Sequence, residues 1–306
     1  MDMSSLVNCM GTLFLLLAVG FLCNKIGILC EENKRILSKI VVNVALPGML
    51  INAIITAEID LSGPGTRELV IAIVLYYVTL FILSNVYAFL TARNHPDKGV
   101  YQYMVMFSNT GLLGIPLITA MFGQEALFHV ALFNIPFNIL AFTYGIFLIR
   151  GKGNGEKRSW KKMLTPPTVA SVLALVMLLL GVKLPVFLAD AVGYIGGMTV
   201  PGAMMVVGAS LAAIPAGAIW KEWRIYAVTF FTLLIRPVII VSLAKLFISD
   251  PLVLGVTVIL AAVPVGANTT SLCIQYDANE KLASCGIFIS TLLSMLTIPL
   301  VAMVLL

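Results

Sequence analysis

Apolar runs of about 20 residues, each long enough to cross the ~30 Å hydrocarbon layer of a bilayer as a helix, follow one another along the chain. They fall at roughly 6–26, 35–56, 66–92, 99–122, 125–149, 166–182, 186–215, 222–248, 251–275 and 282–306. Charged residues make up 11% of the 306 and hydrophobic ones 60%, with mean hydropathy +1.04. A soluble domain covers its surface with about one charged residue in four, so lipid is the solvent this chain suits. The expected fold class is an all-α polytopic membrane protein with ten transmembrane helices.

The formal charge of +5 does not point to nucleic acid, because the basic residues sit in short loops between the apolar runs. Fifteen of the nineteen Lys and Arg fall in alternate loops, those after runs 1, 3, 5, 7 and 9. Arg67 and Lys183 alone occupy loops on the other side, and Arg236 and Lys245 lie in run 8. Basic loops stay cytoplasmic, which predicts both termini outside a plasma (inner) membrane. MDMSS ahead of Leu6 has no basic region, so the first run is expected to be a retained helix, not a cleaved signal. The five cysteines (Cys9, Cys23, Cys30, Cys273, Cys285) have no paired spacing and suggest neither a disulfide framework nor a metal site. No bound cofactor is expected.

Five helices per half is an odd number, so related halves must be inverted. Pro47–Gly48 in run 2 matches Pro201–Gly202 in run 7. Ser108–Gly111 with Gly114 and Pro116 in run 4 matches Pro264, Gly266 and Asn268–Thr270 in run 9. Pro136 in run 5 matches Pro299 in run 10. The offsets are 154, 159 and 163 residues, a slow drift. The expected domains are a first five-helix repeat over 1–150, a cytoplasmic loop over 151–163, and a second, inverted repeat over 164–306. Glycine- and proline-interrupted helices at matching places in two inverted halves mark a transport site. Interrupted backbone in hydrocarbon leaves N–H and C=O groups unpaired at several kcal/mol each, so it survives only inside protein or beside a polar cavity. The restarting helices then turn N–H groups and positive dipole ends toward an anion. Candidate residues are Asn109, Thr110, Gly111, Pro116, Pro264, Asn268, Thr269 and Thr270, with Ser108 beside them. Asn109 and Asn268 either contact the substrate or patch the broken backbone.

Arg236 lies well inside run 8, where an uncompensated arginine costs about 2.5–3.5 kcal/mol on insertion scales. All fourteen carboxylates fall in loops or near helix ends, so no acid is available to it at depth. Either an anionic substrate or carbonyls of the broken helices must satisfy it. The same shortage of buried acids disfavours a cation exchanger. His129 is a thin candidate for proton coupling. Sodium could be held by carbonyls, Asn109, Thr269, Ser290 and Thr291 without a formal charge. Asn134 and Asn138, one turn apart in run 5, share a face.

At these positions the chain resembles the auxin efflux carrier family, which includes bacterial malate and malonate permeases and the plant auxin carriers. The pieces that carry the resemblance are ValAlaLeuPro up to Pro47, PheSerAsnThrGlyLeuLeuGlyIlePro up to Pro116, and ValProGlyAlaMetMetValValGlyAlaSerLeu up to Leu211. Pro264 through Tyr276, and SerThrLeuLeuSer with Pro299, add to it. Ser108 stands where the plant carriers have proline. The resemblance implies broken helices 4 and 9 crossing at the bilayer midplane. It further implies a scaffold of helices 1, 2, 6 and 7 and an elevator-like transport domain of helices 3–5 and 8–10. A homodimer through the scaffold follows by the same analogy. The implied activity is secondary transport of a small organic anion, outward, with a sodium-coupled symporter like the bile-acid carriers as the alternative. Paired aspartates, His/Glu metal spacing and a Gly-x-Ser-x-Gly element are absent from the sequence, so an intramembrane enzyme is not expected.

Overall fold

The computed structural model describes residues 3–55, 66–123, 126–151, 166–182, 184–213 and 222–305. The hydrophilic loop expected over 151–163 lies outside these residues beyond Gly151. The first half contains α1 (Met3–Lys25), α2 (Glu31–Ile40), α3 (Leu46–Ile55), α4 (Thr66–Thr91), α5 (Lys98–Met106), α6 (Ile115–Phe122), α7 (Ala126–Leu140) and α8 (Ile146–Arg150). The second contains α9 (Pro166–Leu180), α10 (Val186–Gly197), α11 (Thr199–Ala212), α12 (Trp223–Phe230), α13 (Arg236–Ala244), α14 (Pro251–Ala262), α15 (Asn268–Gln275) and α16 (Glu280–Leu305). Among the described residues the only extended pairing is an isolated bridge between Ser108 and Val265.

Six helical runs are long and apolar enough to cross a membrane: Glu31–Asn52, Thr66–Thr91, Leu132–Arg150, Val186–Ala212, Trp223–Ala244 and Glu280–Leu305. Their outward faces expose Leu90, Phe187, Tyr194, Leu246, Leu296 and Met303. Apolar surface of that extent is stable against lipid and not against water. The chain is an all-helical, multi-pass membrane protein.

Four runs widen into single π-helical turns, Val41–Ala45, Thr110–Gly114, Ala141–Gly145 and Phe231–Ile235. Three of them end two residues before a proline: Pro47, Pro116 and Pro237. The cause is local. A proline has no N–H for the carbonyl four residues earlier, and its ring crowds that carbonyl. Widening the preceding turn to i→i+5 bonding relieves the crowding, as in the bond from Arg236 N–H to Phe231 C=O. The run expected as one helix over 186–215 breaks at Met198, three residues before Pro201. This correction has the same origin.

The centre of the molecule is α14. Every residue from Gly255 to Ala262 is buried, so this helix faces protein on all sides. Elsewhere α1 and α11 touch backbone to backbone. A Cβ at Gly208 would collide with the Leu17 carbonyl, which only glycine avoids.

Candidate substrate site where two broken helices meet

Two interruptions face each other at the core. α5 ends at Met106, Phe107 is extended (φ −113°, ψ 102°), and the chain coils again from Thr110. α14 ends at Ala262, Val263 is extended (φ −66°, ψ 148°), and α15 starts at Asn268. The two extended pieces pair antiparallel. Asn109 N–H donates to the Pro264 carbonyl at 2.8 Å, and Gly266 N–H to the Phe107 carbonyl at 3.1 Å. Gly266 is needed there, since a Cβ would stand 3.1 Å from Phe107 O and 3.2 Å from Ser108 O.

Each break orphans helix carbonyls, and their new partners can be followed one by one. The N–H that would serve Val105 belongs to Asn109, which has turned to Pro264. The one that would serve Leu260 does not exist, because residue 264 is proline. The one that would serve Ala261 belongs to Val265, which donates to Ser290 Oγ at 3.2 Å. Side chains from other helices replace all three. Arg236 Nη1 donates to Val105 O at 3.1 Å, Nε to Ala261 O at 3.0 Å and Nη2 to Val263 O at 2.7 Å. Tyr76 donates its hydroxyl to Leu260 O at 2.9 Å.

Arg236 is wholly buried and makes three charge-assisted hydrogen bonds to the carbonyl ends of α5 and α14. Those ends carry the negative poles of the helix dipoles, and the guanidinium neutralises them. The positive ends, at Thr110 and Asn268, are left without a counter-charge of this kind. Asn268 is half-buried, and its side-chain oxygen has no hydrogen-bond partner.

The residues singled out from sequence divide into two groups. Ser108, Asn109, Pro264 and Ser290 join in the bridge or its immediate support. Thr110 Oγ1 donates to Asn134 Oδ1 at 2.8 Å, and Asn134 Nδ2 donates to Val130 O, which ties the wide turn to α7. Thr269 Oγ1 donates to Gly266 O at 2.6 Å and steadies the start of α15. Gly111 is half-buried beside these residues, and Pro116 lies in the first turn of α6. The others point elsewhere. Thr270 pairs with Ser284 Oγ at 3.0 Å, the Thr291 carbonyl accepts from Ser294, and Asn138 is half-buried on α7. Tyr76 escaped the sequence reading. The signal available was the Tyr76–Tyr77 pair deep within an apolar run, where buried hydroxyls need acceptors. Among the described residues no group of three or more His, Cys, Asp or Glu side chains is placed to hold a metal ion.

Buried, unwound backbone on two facing helices, inside an apolar multi-pass bundle, defines the class of membrane transporters. The comparison with known families agrees: residues 6–302 match the membrane transport protein model, and the chain belongs to that family, the auxin efflux carrier family. Similar proteins include uncharacterized transporters of Methanocaldococcus jannaschii (27% identity, 94% of each chain covered) and Methanothermobacter thermautotrophicus (28%, 96% of each). A Rhizobium meliloti protein named as a candidate malonate transporter is 25% identical over 93% of this chain and 91% of its own.

Proposed function

We propose that the protein is a secondary carrier of a small organic anion, a carboxylate of the malonate or malate kind or an auxin-like acid, working outward. The observation that carries this reading is the asymmetry of charge where the broken helices meet. Arg236 and Tyr76 occupy the carbonyl ends, while the N–H ends at Thr110 and Asn268 carry only neutral polar side chains. Such ends favour an anion. The kinship with a candidate malonate transporter supports the same chemical class.

On this reading the chain forms ten membrane helices in two inverted repeats with both termini outside the inner membrane. Helices 1, 2, 6 and 7 of that count form a scaffold, through which the protein dimerises. Helices 3–5 and 8–10 form a domain that carries the site across as an elevator. Counterflow of radiolabelled malonate, malate and indole acetate in proteoliposomes tests it. Asn109→Ala and Asn268→Ala should abolish exchange without lowering expression. Wild-type flux in both variants would remove the site from this place.

One observation favours a second reading, a sodium-coupled symporter like the bile-acid carriers. The unpartnered Asn268 oxygen is an acceptor, which a cation satisfies. Flux that is unchanged when choline replaces sodium would eliminate it.

A further inference from the structure

The face that carries the basic loops holds a second polar assembly, five residues down α15 from Asn268. α2 buries Lys34 and Ser38, one turn apart on the same side. The Lys34 side chain is 1% exposed, with Nζ 2.8 Å from Glu280 at the start of α16 and 2.9 Å from Glu31. Ser38 Oγ donates to the Ser271 carbonyl at 3.0 Å. Asn43 and Gln275 exchange amide hydrogen bonds of 3.2 and 3.5 Å. Arg35 meets Asp277 at 3.2 Å on the exposed rim. Every one of these inter-helix contacts ties residues 34–43 to residues 271–280. A cavity of about 220 Å³ lies against this seam, walled by Lys34, Glu280, Cys273 and Ile274 among others. Cys273 itself is fully buried.

The chemistry of the seam differs from that of the helix contacts around it. Apolar contacts such as α1 against α11 lose free energy whenever they are parted. Amide and hydroxyl pairs exchange their partners for water with little net change. An ammonium buried between carboxylates is stable only while it is paired, which makes the contact either fully made or fully broken. A seam of this composition holds one arrangement and parts cleanly. We infer that the Lys34–Glu280 pair is a latch that closes the path from the basic-loop face to the site, and that its release opens the cavity beside Cys273. The inference rests on the carrier reading for its purpose. Its test does not.

The test uses a full-length protein in which Cys9, Cys23, Cys30 and Cys285 are replaced by serine, so that Cys273 is the sole thiol. A membrane-impermeant maleimide is applied to vesicles of either orientation. Labelling is expected to be slow in this parent. It should be at least about tenfold faster in Lys34→Gln and in Glu280→Gln, because reaction of a buried thiol follows the opening equilibrium. The faster reaction should occur only from the basic-loop side. The exchange Lys34→Glu/Glu280→Lys should restore slow labelling, and Arg35→Gln at the rim should leave it unchanged. Rates within about twofold of the parent in both single variants overturn the latch, as does an exchange variant that reacts as fast as they do. Carboxylate flux in the same vesicles separates the two claims, since a parent that labels as described but carries nothing refutes the carrier reading alone.

Discussion

Replacing Arg236 by methionine removes all three guanidinium hydrogen bonds while keeping much of the side-chain volume. Val105 O, Ala261 O and Val263 O then lose their donors in a region that lipid and protein close to water. Hydrogen bonds to a charged group contribute about 1.5–3 kcal/mol each, so three amount to roughly 4–9 kcal/mol. That is comparable with the whole stability of an ordinary domain, about 5–15 kcal/mol. An opposing effect exists: an arginine without a carboxylate bears a desolvation cost that methionine escapes, and some buried charges are replaced by apolar groups at no loss. The geometry decides between them. Here the partners are orphaned carbonyls fixed by the chain breaks, and methionine offers them no donor. Arg236→Lys keeps the charge, but its single nitrogen cannot span the fork, so it should fall between the two. The assays are thermal unfolding in detergent and hydrogen exchange at the Asn109 and Gly266 amides, which form the bridge. The expected order of melting temperature is arginine, lysine, methionine, with bridge amides exchanging faster in the same order. A methionine variant that melts within about 2 °C of the parent and protects both amides equally would refute the clamp.

Gly266→Ala should lower the melting temperature and speed exchange at the Asn109 amide, because the added Cβ meets two carbonyl oxygens that the bridge holds still; an unchanged amide would show that the bridge can relax. Asn134→Ala leaves the Thr110 hydroxyl buried without its acceptor, at about 1–3 kcal/mol. Thr110→Val/Asn134→Ala should then cost less than the sum of the single variants, and strict additivity in unfolding measurements would deny the pair. Gly208→Val should separate α1 from α11 and lower the yield of monodisperse protein on size exclusion, whereas Gly197→Val, whose added Cβ meets nothing nearby, should not.

Several of these features were legible in the residues themselves. Apolar runs and the scarcity of charge led to a helical membrane protein, and glycine with proline around Asn109 and Asn268 located both interruptions. Listing the carboxylates showed that Arg236 had no acid to meet. It did not identify the carbonyls, because they belong to residues 25, 27 and 131 positions away. Lys34 was counted among loop cations, as its neighbours Glu31, Glu32 and Arg35 suggest. Its burial depends on Glu280, 246 residues further on. The wide turns were also out of reach. Proline announces a disturbed helix, but whether the chain kinks, breaks or widens depends on what packs around it.

The wide turn over Phe231–Ile235 has a bearing on which changes in length the chain can tolerate. A turn bonded i→i+5 contains one residue more than an α-helix requires. Deleting a single residue there, Leu233 for instance, would leave a regular helix with good hydrogen bonds and ordinary apolar composition. It would also rotate everything beyond it by about 100° relative to what came before, and swing the guanidinium away from the three oxygens it now serves. A deletion that hydropathy would score as harmless should therefore abolish the folded protein, whereas removing a residue from an exposed loop should not.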